Sequence, residues 1–135
     1  MQVHVHGGLR IVVDGFAVYQ VGNPVPGNLR RCYELSATRA ALGPSGRNWS
    51  SGYEGATLVN GTIQGVDSDP IGHAWVIEPD GTVWEPASAT TYPADVFEAL
   101  FAAVPIVTYS SEEARMNMAT THHTGPWAEE ASIAS

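Results

Sequence analysis

The sequence contains no lysine and a single cysteine, Cys32, among its 135 residues. One cysteine excludes a disulfide within the chain and a four-cysteine zinc site. Without lysine, the protein cannot cross-link itself through its own lysine side chains. No stretch reaches the roughly 18 to 20 apolar residues that a membrane-spanning helix needs, so we expect no membrane protein. The lone thiol is therefore either a packing residue or a reactive group.

Positive charge is also scarce. Six arginines face fourteen acidic residues, and the net charge is −8. This charge repels phosphate backbones and the arginines form no basic stripe, so we expect no nucleic-acid partner. The first residues have neither the basic region nor the apolar run of a secretion signal, so we expect a cytoplasmic protein without a membrane partner.

The sequence has enough apolar residues to form one hydrophobic core. Apolar residues make up 44% of the sequence and no change in composition divides it. We therefore expect a single domain over residues 1–127 and a flexible C-terminal tail over 128–135. Strand and helix signals alternate, with hairpins rather than crossovers. They predict an α+β fold with a largely antiparallel sheet, on which the helix that carries Cys32 packs.

Three short turn signals predict β-hairpins. Asp14-Gly15 and Asn60-Gly61 each favour a tight turn between two apolar runs. Pro79-Asp80-Gly81 favours a third turn, between strands over 71–77 and 82–85. The last of these hairpins contains His73, Trp75, Trp84 and Glu85.

Capping signals predict the helices. Asn28 is a favoured cap for a helix over 28–42 that Gly43 ends, which puts Cys32 in the opening turns. The remaining predicted elements are a helix from Pro93 to about Ala103, a strand over 104–109 that Pro105 assigns to a sheet edge, and a helix from the capping-box spacing of Ser110 and Glu113 toward Thr121.

Two sequence blocks resemble a known superfamily. Gly72-His73-Ala74-Trp75-Val76-Ile77, followed by a turn and Val83-Trp84-Glu85-Pro86, resembles the histidine block of papain-like and transglutaminase-like thiol enzymes. Arg31-Cys32-Tyr33-Glu34-Leu35 is similar to the helix that carries their nucleophile, and it precedes the histidine here as it does there. The resemblance covers residues 28–87. It implies a papain/transglutaminase-like fold with Cys32 as nucleophile, His73 as base and Glu85, where aspartate is usual, as the group that orients His73.

Elementary chemistry supports the same three residues. A free thiol has a pKa near ~8.5 and is mostly protonated at neutral pH, whereas a helix N-terminus and an imidazolium lower that pKa. Arg30 and Arg31, which precede Cys32, would act in the same direction if they face the site; the alternative is that they are solvated surface residues. A histidine paired with such a thiol needs a carboxylate to hold it in one tautomer.

The geometry of the turn tests whether Glu85 can be that carboxylate. If Gly81 is the positive-φ bulge residue of a type I turn, Glu78 pairs with Thr82. His73 and Glu85 are then diagonal neighbours on one face, within reach of a hydrogen bond. A two-residue loop would instead turn Glu85 away.

Several further residues are candidates for the site. The backbone N–H of Cys32 would form part of an oxyanion hole, completed by one of the side chains of Gln20, Asn23 or Asn28. The candidates for the rim of the substrate site are Trp49, Tyr53 and Trp75, of which Trp75 is most simply a core or cross-strand packing residue. The remaining histidines, His4, His6, His122 and His123, have no metal-binding spacing, so we expect no metal and no cofactor.

These residues predict a cysteine-dependent acyl hydrolase or acyltransferase that acts on a peptide, isopeptide or glutamine-like amide of a protein or peptide substrate. The first alternative is a non-catalytic acidic module of the same fold that binds a basic protein, such as a phage inhibitor of a host protein. A histidine-based metal-binding protein is the second alternative. The pattern leaves hydrolysis or transfer, and the oligomeric state, open.

Overall fold

The computed structural model describes residues 1–6, 9–28, 30–64 and 69–127. These residues form eight strands and three helices, which are, in chain order, β1 (Gln2–His6), β2 (Leu9–Asp14), β3 (Ala17–Gln20), α1 (Cys32–Leu42), β4 (Thr57–Ile63), β5 (Ile71–Ile77), β6 (Val83–Glu85), β7 (Thr90–Tyr92), α2 (Ala94–Phe101), β8 (Val104–Ser110) and α3 (Ser111–Thr121).

The strands form two antiparallel sheets. The N-terminal sheet has the order β1-β2-β3, and the five-stranded sheet has the order β7-β6-β5-β4-β8. Each pairing of neighbouring strands is antiparallel. The predicted α+β class with largely antiparallel pairing is therefore confirmed.

Two hydrophobic clusters lie on opposite faces of the five-stranded sheet, because successive residues of a strand point to opposite faces. Val59 and Trp75 belong to the cluster that α2 covers. Their neighbours Leu58 and Val76 belong to the cluster that α1 and α3 cover. Helix α2 also contacts β2 and β3, and its Phe97 ring lies 5.3 Å from the ring of Trp75. Helix α2 thus joins the two sheets.

Helix α1 begins later than the sequence predicts. Its first residue is Cys32 and its cap is Arg31, which makes no capping hydrogen bond through its side chain. Asn28 lies outside the helix, and its side-chain amide donates to the carbonyl of Pro86 at 2.9 Å. The side chain of Asn28 thus forms a long-range hydrogen bond instead of a helix cap, and local propensity alone does not reveal such a bond. The predicted end at Gly43 is confirmed, with φ of 81° there.

The hairpin predicted at Asn60-Gly61 is wrong. Strand β4 continues through both residues, which are buried in the middle of the five-stranded sheet. A Cβ atom on Gly61 would lie 2.1 Å from the carbonyl oxygen of Val104 and 3.0 Å from the ring of Trp75. The register with β8 also shifts between Asn60 and Gly61. Gly61 is therefore needed for close approach in the sheet interior, where no turn forms.

The β5–β6 hairpin has the predicted geometry. Gly81 has φ of 91°, and Glu78 N–H donates to the carbonyl of Thr82 at 2.8 Å. Val76 faces Trp84, which is the register of the three-residue loop. In the first hairpin Asp14 pairs with Ala17, so its two-residue loop lies one position later than the Asp14-Gly15 signal suggests.

The C-terminal elements match the sequence closely. Ser110 and Glu113 form both hydrogen bonds of a capping box, and β8 with Pro105 is an edge strand, as predicted. Trp127 packs back onto Tyr109, with ring centroids 4.9 Å apart. The predicted tail over 128–135 lies outside the described residues. Within the part of the chain that is described, every helix is too short or too polar to span a bilayer.

Candidate functional site

Three elements bring Cys32, His73 and Glu85 together. Cys32 is the first residue of α1, His73 lies near the start of β5, and Glu85 ends β6. Helix α1 packs on β5 and runs in the same direction, because Cys32 meets His73 and Ala74 near one end while Arg39 meets Glu78 near the other. The start of the helix therefore lies beside the start of the strand.

The His73–Glu85 contact predicted from the hairpin register is confirmed. His73 Nε2 lies 3.0 Å from Glu85 Oε2, and the two residues are 8% and 2% exposed. Such burial would be costly for an isolated carboxylate. The backbone N–H groups of Ala87 and Ser88 donate to Glu85 at 2.8 and 2.9 Å, and the Ser88 hydroxyl donates at 2.8 Å. Both carboxylate oxygens therefore have two donors each.

The pKa of Glu85 follows from these contacts. Burial alone would raise it, but the hydrogen bond with His73 and the donors of Ala87 and Ser88 lower it below the ordinary 4.5. Glu85 is consequently a carboxylate at neutral pH. The fixed negative charge of the Glu85 carboxylate beside Nε2 holds the His73 ring in one orientation and leaves Nδ1 for the thiol.

Cys32 and His73 shift each other's pKa values. Burial alone would raise the pKa of the half-buried Cys32 thiol, but the hydrogen bond and charge of His73, together with the backbone N–H groups of Ala74 and Tyr33, lower it below 9.0. Burial alone would lower the pKa of His73, but the hydrogen bonds and charges of Cys32 and Glu85 raise it to about 9. Each group therefore favours the charged form of the other, a thiolate beside an imidazolium.

The start of α1 also favours the thiolate form of Cys32. The first N–H groups of a helix have no partner within it, and the side chain of Arg31 caps none of them. Arg31 instead forms two hydrogen bonds with Glu34, both at 2.9 Å, in an exposed ion pair. Arg30 is exposed and has φ of 66°, which non-glycine residues adopt at a cost. Of the two arginines that directly precede Cys32 in the sequence, Arg31 forms an ion pair and Arg30 has no described one.

The segment over 21–28 lies along the strand and turn that follow Glu85. Val25 N–H donates to the carbonyl of Ala87 at 2.8 Å, and Gly22 N–H donates to the hydroxyl of Tyr92 at 2.9 Å. A Cβ atom on Gly22 would lie 2.9 Å from the Cβ of Ser88. This close packing positions the loop that holds Glu85, and nothing in the local sequence pattern indicates it.

The three oxyanion-hole candidates occupy different places. Asn28 is half-buried and is bonded to Pro86, next to Glu85 and four residues before Cys32. Gln20 is an exposed residue of β3, paired with Ile11. Asn23 is exposed in the segment over 21–28. Of the three, Asn28 is tied by a hydrogen bond to the loop that carries the site.

The rim candidates lie away from Cys32. Trp49 is exposed in the loop that follows the far end of α1, where a shallow cavity places it beside Met118 and His122. Tyr53 lies in a cavity with Glu78 and Asp80, at the turn end of β5. Trp75 is 3% exposed and packs between His73 and Phe97. Trp75 is thus a core residue, in agreement with the packing role that the sequence indicates most simply.

A partly buried ion pair anchors α1 on the sheet. Arg39 donates through Nε to Glu78 Oε1 at 2.8 Å and makes a second, shorter bond to the same oxygen. Its guanidinium also lies 4.7 Å from the ring centre of Trp84. Sequence reasoning missed Arg39 and Ser88, although Arg39 is on the helix of Cys32 and Ser88 is three residues after Glu85.

In the described ranges, no three His, Cys, Asp or Glu side chains are grouped closely enough to hold a metal ion. His4 lies on β1, whereas His122 and His123 follow α3. The structure therefore does not bring these histidines together with His73. Comparisons with protein-family models, with curated proteins and with solved structures found no match to this chain.

Proposed function

We propose that this chain is a cysteine-dependent enzyme that hydrolyses or transfers an acyl group at an amide bond of a peptide or protein. Cys32 is the nucleophile, His73 the general acid and base, and Glu85 the group that orients His73. The observation that carries the proposal is the position of His73, which contacts the Cys32 thiol on one side and a buried carboxylate at 3.0 Å on the other. A triad is recognised by such geometry and roles.

The resting pair begins the reaction as thiolate and imidazolium. The Cys32 thiolate attacks the carbonyl carbon and forms the C–S bond, while charge develops on the carbonyl oxygen. Imidazolium His73 then donates its proton to the leaving nitrogen, the C–N bond breaks, and a thioester remains on Cys32. Neutral His73 next takes a proton from water or from another acceptor, which attacks the thioester and restores the thiolate.

The start of α1 would stabilise the developing negative charge. The backbone N–H of Cys32, at the first position of the helix, supplies one donor without competition from a capping side chain. Asn28 is the preferred second donor among Asn28, Gln20 and Asn23, because its bond to Pro86 fixes it close to the loop of Glu85. The amide of Asn28 has a second N–H that this bond does not use.

We further propose a papain/transglutaminase-like arrangement, in which a helix presents the nucleophile to an antiparallel sheet that carries the histidine and the carboxylate. The order Cys32, His73, Glu85 along the chain and the placement of Cys32 at a helix start support it. A cytoplasmic location would keep the lone thiol reduced. The net charge of −8 favours one second candidate, a non-catalytic module that binds a basic protein.

Alkylation of Cys32 by iodoacetamide, followed by mass spectrometry across pH 5–10, tests the proposal. In the native protein we expect fast alkylation well below the ordinary thiol pKa, because His73 stabilises the thiolate. The His73→Ala variant should react only as an ordinary thiol does, and His4→Ala, a distant exposed histidine, should behave as native. A slow native thiol that is indifferent to His73 would leave the binding module as the better explanation.

A further inference from the structure

The first strand presents an unpaired edge, within the described part of the chain, and two exposed valines. Strand β1 pairs with β2 on one side and with no other strand among the described residues. Val3 faces Val12 across the pairing, so Val3 and Val5 are on the face that contains the buried Val12. Even so, Val3 and Val5 are 48% and 57% exposed, whereas Val12 is fully buried. The core-facing side of the N-terminal sheet is thus left uncovered along β1.

The other sheet edges are protected and β1 is not. Exposed edges are usually guarded by charge, proline, bulges or short length. Strand β8 contains Pro105, β7 has three residues, and β3 has four residues and leads into the segment that packs along the loop after Glu85. Strand β1 has five residues, no charge, no proline and an unbroken register with β2. Such an edge is competent to pair with another strand.

The charge distribution favours a second copy of the chain at this edge. Two copies with a net charge of −8 repel each other over most of their surface. Asp14 is the one acidic residue before Glu34 in the sequence, and it is balanced within the same sheet by Arg10. Among β1, β2 and β3 the acidic side chains are thus limited to Asp14, so pairing through the β1 edge would place few acidic side chains of two copies along the new strand pair.

The pattern of β1 is also self-complementary. We propose that β1 pairs antiparallel with β1 of a second copy, around a two-fold axis that passes beside His4. In this register His4 lies opposite His4 of the second copy, and Val3 of each copy lies opposite Val5 of the other. The four valines then form one apolar row on the exposed part of the core-facing side. The result is a continuous six-stranded sheet made by a symmetric dimer.

Sedimentation velocity of the full chain over about a hundredfold range of concentration tests the dimer. We expect a reversible monomer–dimer equilibrium that Val5→Lys weakens by about tenfold or more, because both symmetric copies lose an apolar contact and gain a charge at the edge. Val104→Lys, at the edge guarded by Pro105, is the matched control and should leave the equilibrium unchanged. Circular dichroism establishes that each variant is folded. A monomer throughout the range, or a dimer indifferent to Val5→Lys, overturns the proposal.

A cross-linking experiment tests the register. In a Cys32→Ser background, His4→Cys places two thiols directly opposite each other across the two-fold axis, within the Cα separation that a disulfide spans. Mild oxidation should link the two copies efficiently, whereas Gln2→Cys, which is displaced from the axis, should be linked much less. Equal linking of both variants, or none at position 4, refutes the two-fold pairing. Neither experiment depends on whether Cys32 is catalytic.

Discussion

Replacement of Glu85 by glutamine is the most informative perturbation of the site. The carboxylate is 2% exposed and accepts four hydrogen bonds, from His73 Nε2, from two backbone N–H groups and from the Ser88 hydroxyl. Glutamine has nearly the same shape, but one of its two terminal groups is an N–H donor. If the amide NH₂ faces His73, the Ala87 N–H loses its acceptor. If the amide NH₂ faces Ser88, the Ser88 N–H loses its acceptor.

The expected loss follows from that mismatch. Either orientation leaves one buried backbone N–H unpaired, which costs about 1–3 kcal/mol, and the charge-assisted bond to His73 loses a further ~1 kcal/mol. We therefore expect Glu85→Gln to lower the free energy of unfolding by about 2–4 kcal/mol in urea denaturation. The pKa of His73 should also fall, because Glu85 no longer stabilises the imidazolium.

The same variant should weaken the thiolate. With less positive charge on His73, the pKa of Cys32 rises, and alkylation near neutral pH should slow by about tenfold or more. Glu98→Gln is the matched control, since Glu98 is exposed on α2 and its loss of charge should change stability by less than ~0.5 kcal/mol. If Glu85→Gln loses under ~1 kcal/mol and alkylates at the native rate, the role assigned to the carboxylate is refuted.

Three other expectations concern the charge pair and the fold around it. In Cys32→Ala the pKa of His73, followed by NMR titration, should fall from about 9 toward its ordinary 6.5, because the thiol is the largest cause that raises it; an unchanged titration would contradict the pairing. Arg39→Met should cost about 2–3 kcal/mol in urea denaturation by leaving Glu78 buried without its partner, and a double variant with Glu78→Gln should recover part of that loss. Gly61→Ala should cost about 2 kcal/mol in the same assay, since its Cβ would collide with a neighbouring carbonyl, whereas native stability would mean that β4 has room there.

Short-range signals predicted the parts of the fold that local chemistry determines. The turn at Gly81, the capping box at Ser110 and the end of α1 at Gly43 each depend on a few adjacent residues, and each was confirmed. The register of the β5–β6 hairpin follows from the turn alone, which is why the contact between His73 and Glu85 was predictable.

Long-range contacts determined the features that the sequence did not reveal. Asn60-Gly61 has the composition of a turn, yet the close approach of β8 requires glycine within a continuous strand. Asn28 has the composition of a helix cap, yet its amide is bonded to Pro86, 58 residues away. The roles of Ser88 and Arg39 likewise depend on what lies opposite them in space. Local propensities describe single residues and their near neighbours in the sequence, so they do not identify such partners.

The contact between His73 and Cys32 promotes the reactive thiolate without making the free energy of unfolding strongly dependent on pH. On folding, the pKa of His73 rises and that of Cys32 falls. Between the lowered pKa of Cys32 and about 9, the folded pair binds one proton, which is on His73. Between 6.5 and 9.0 the same two groups of the unfolded chain also bind one proton, which is on Cys32. Because the pH dependence of stability is set by the difference in bound protons, the pair contributes little slope where those ranges overlap. The thiolate that drives alkylation is nevertheless present throughout that range, and the alkylation and NMR titrations described above measure it directly.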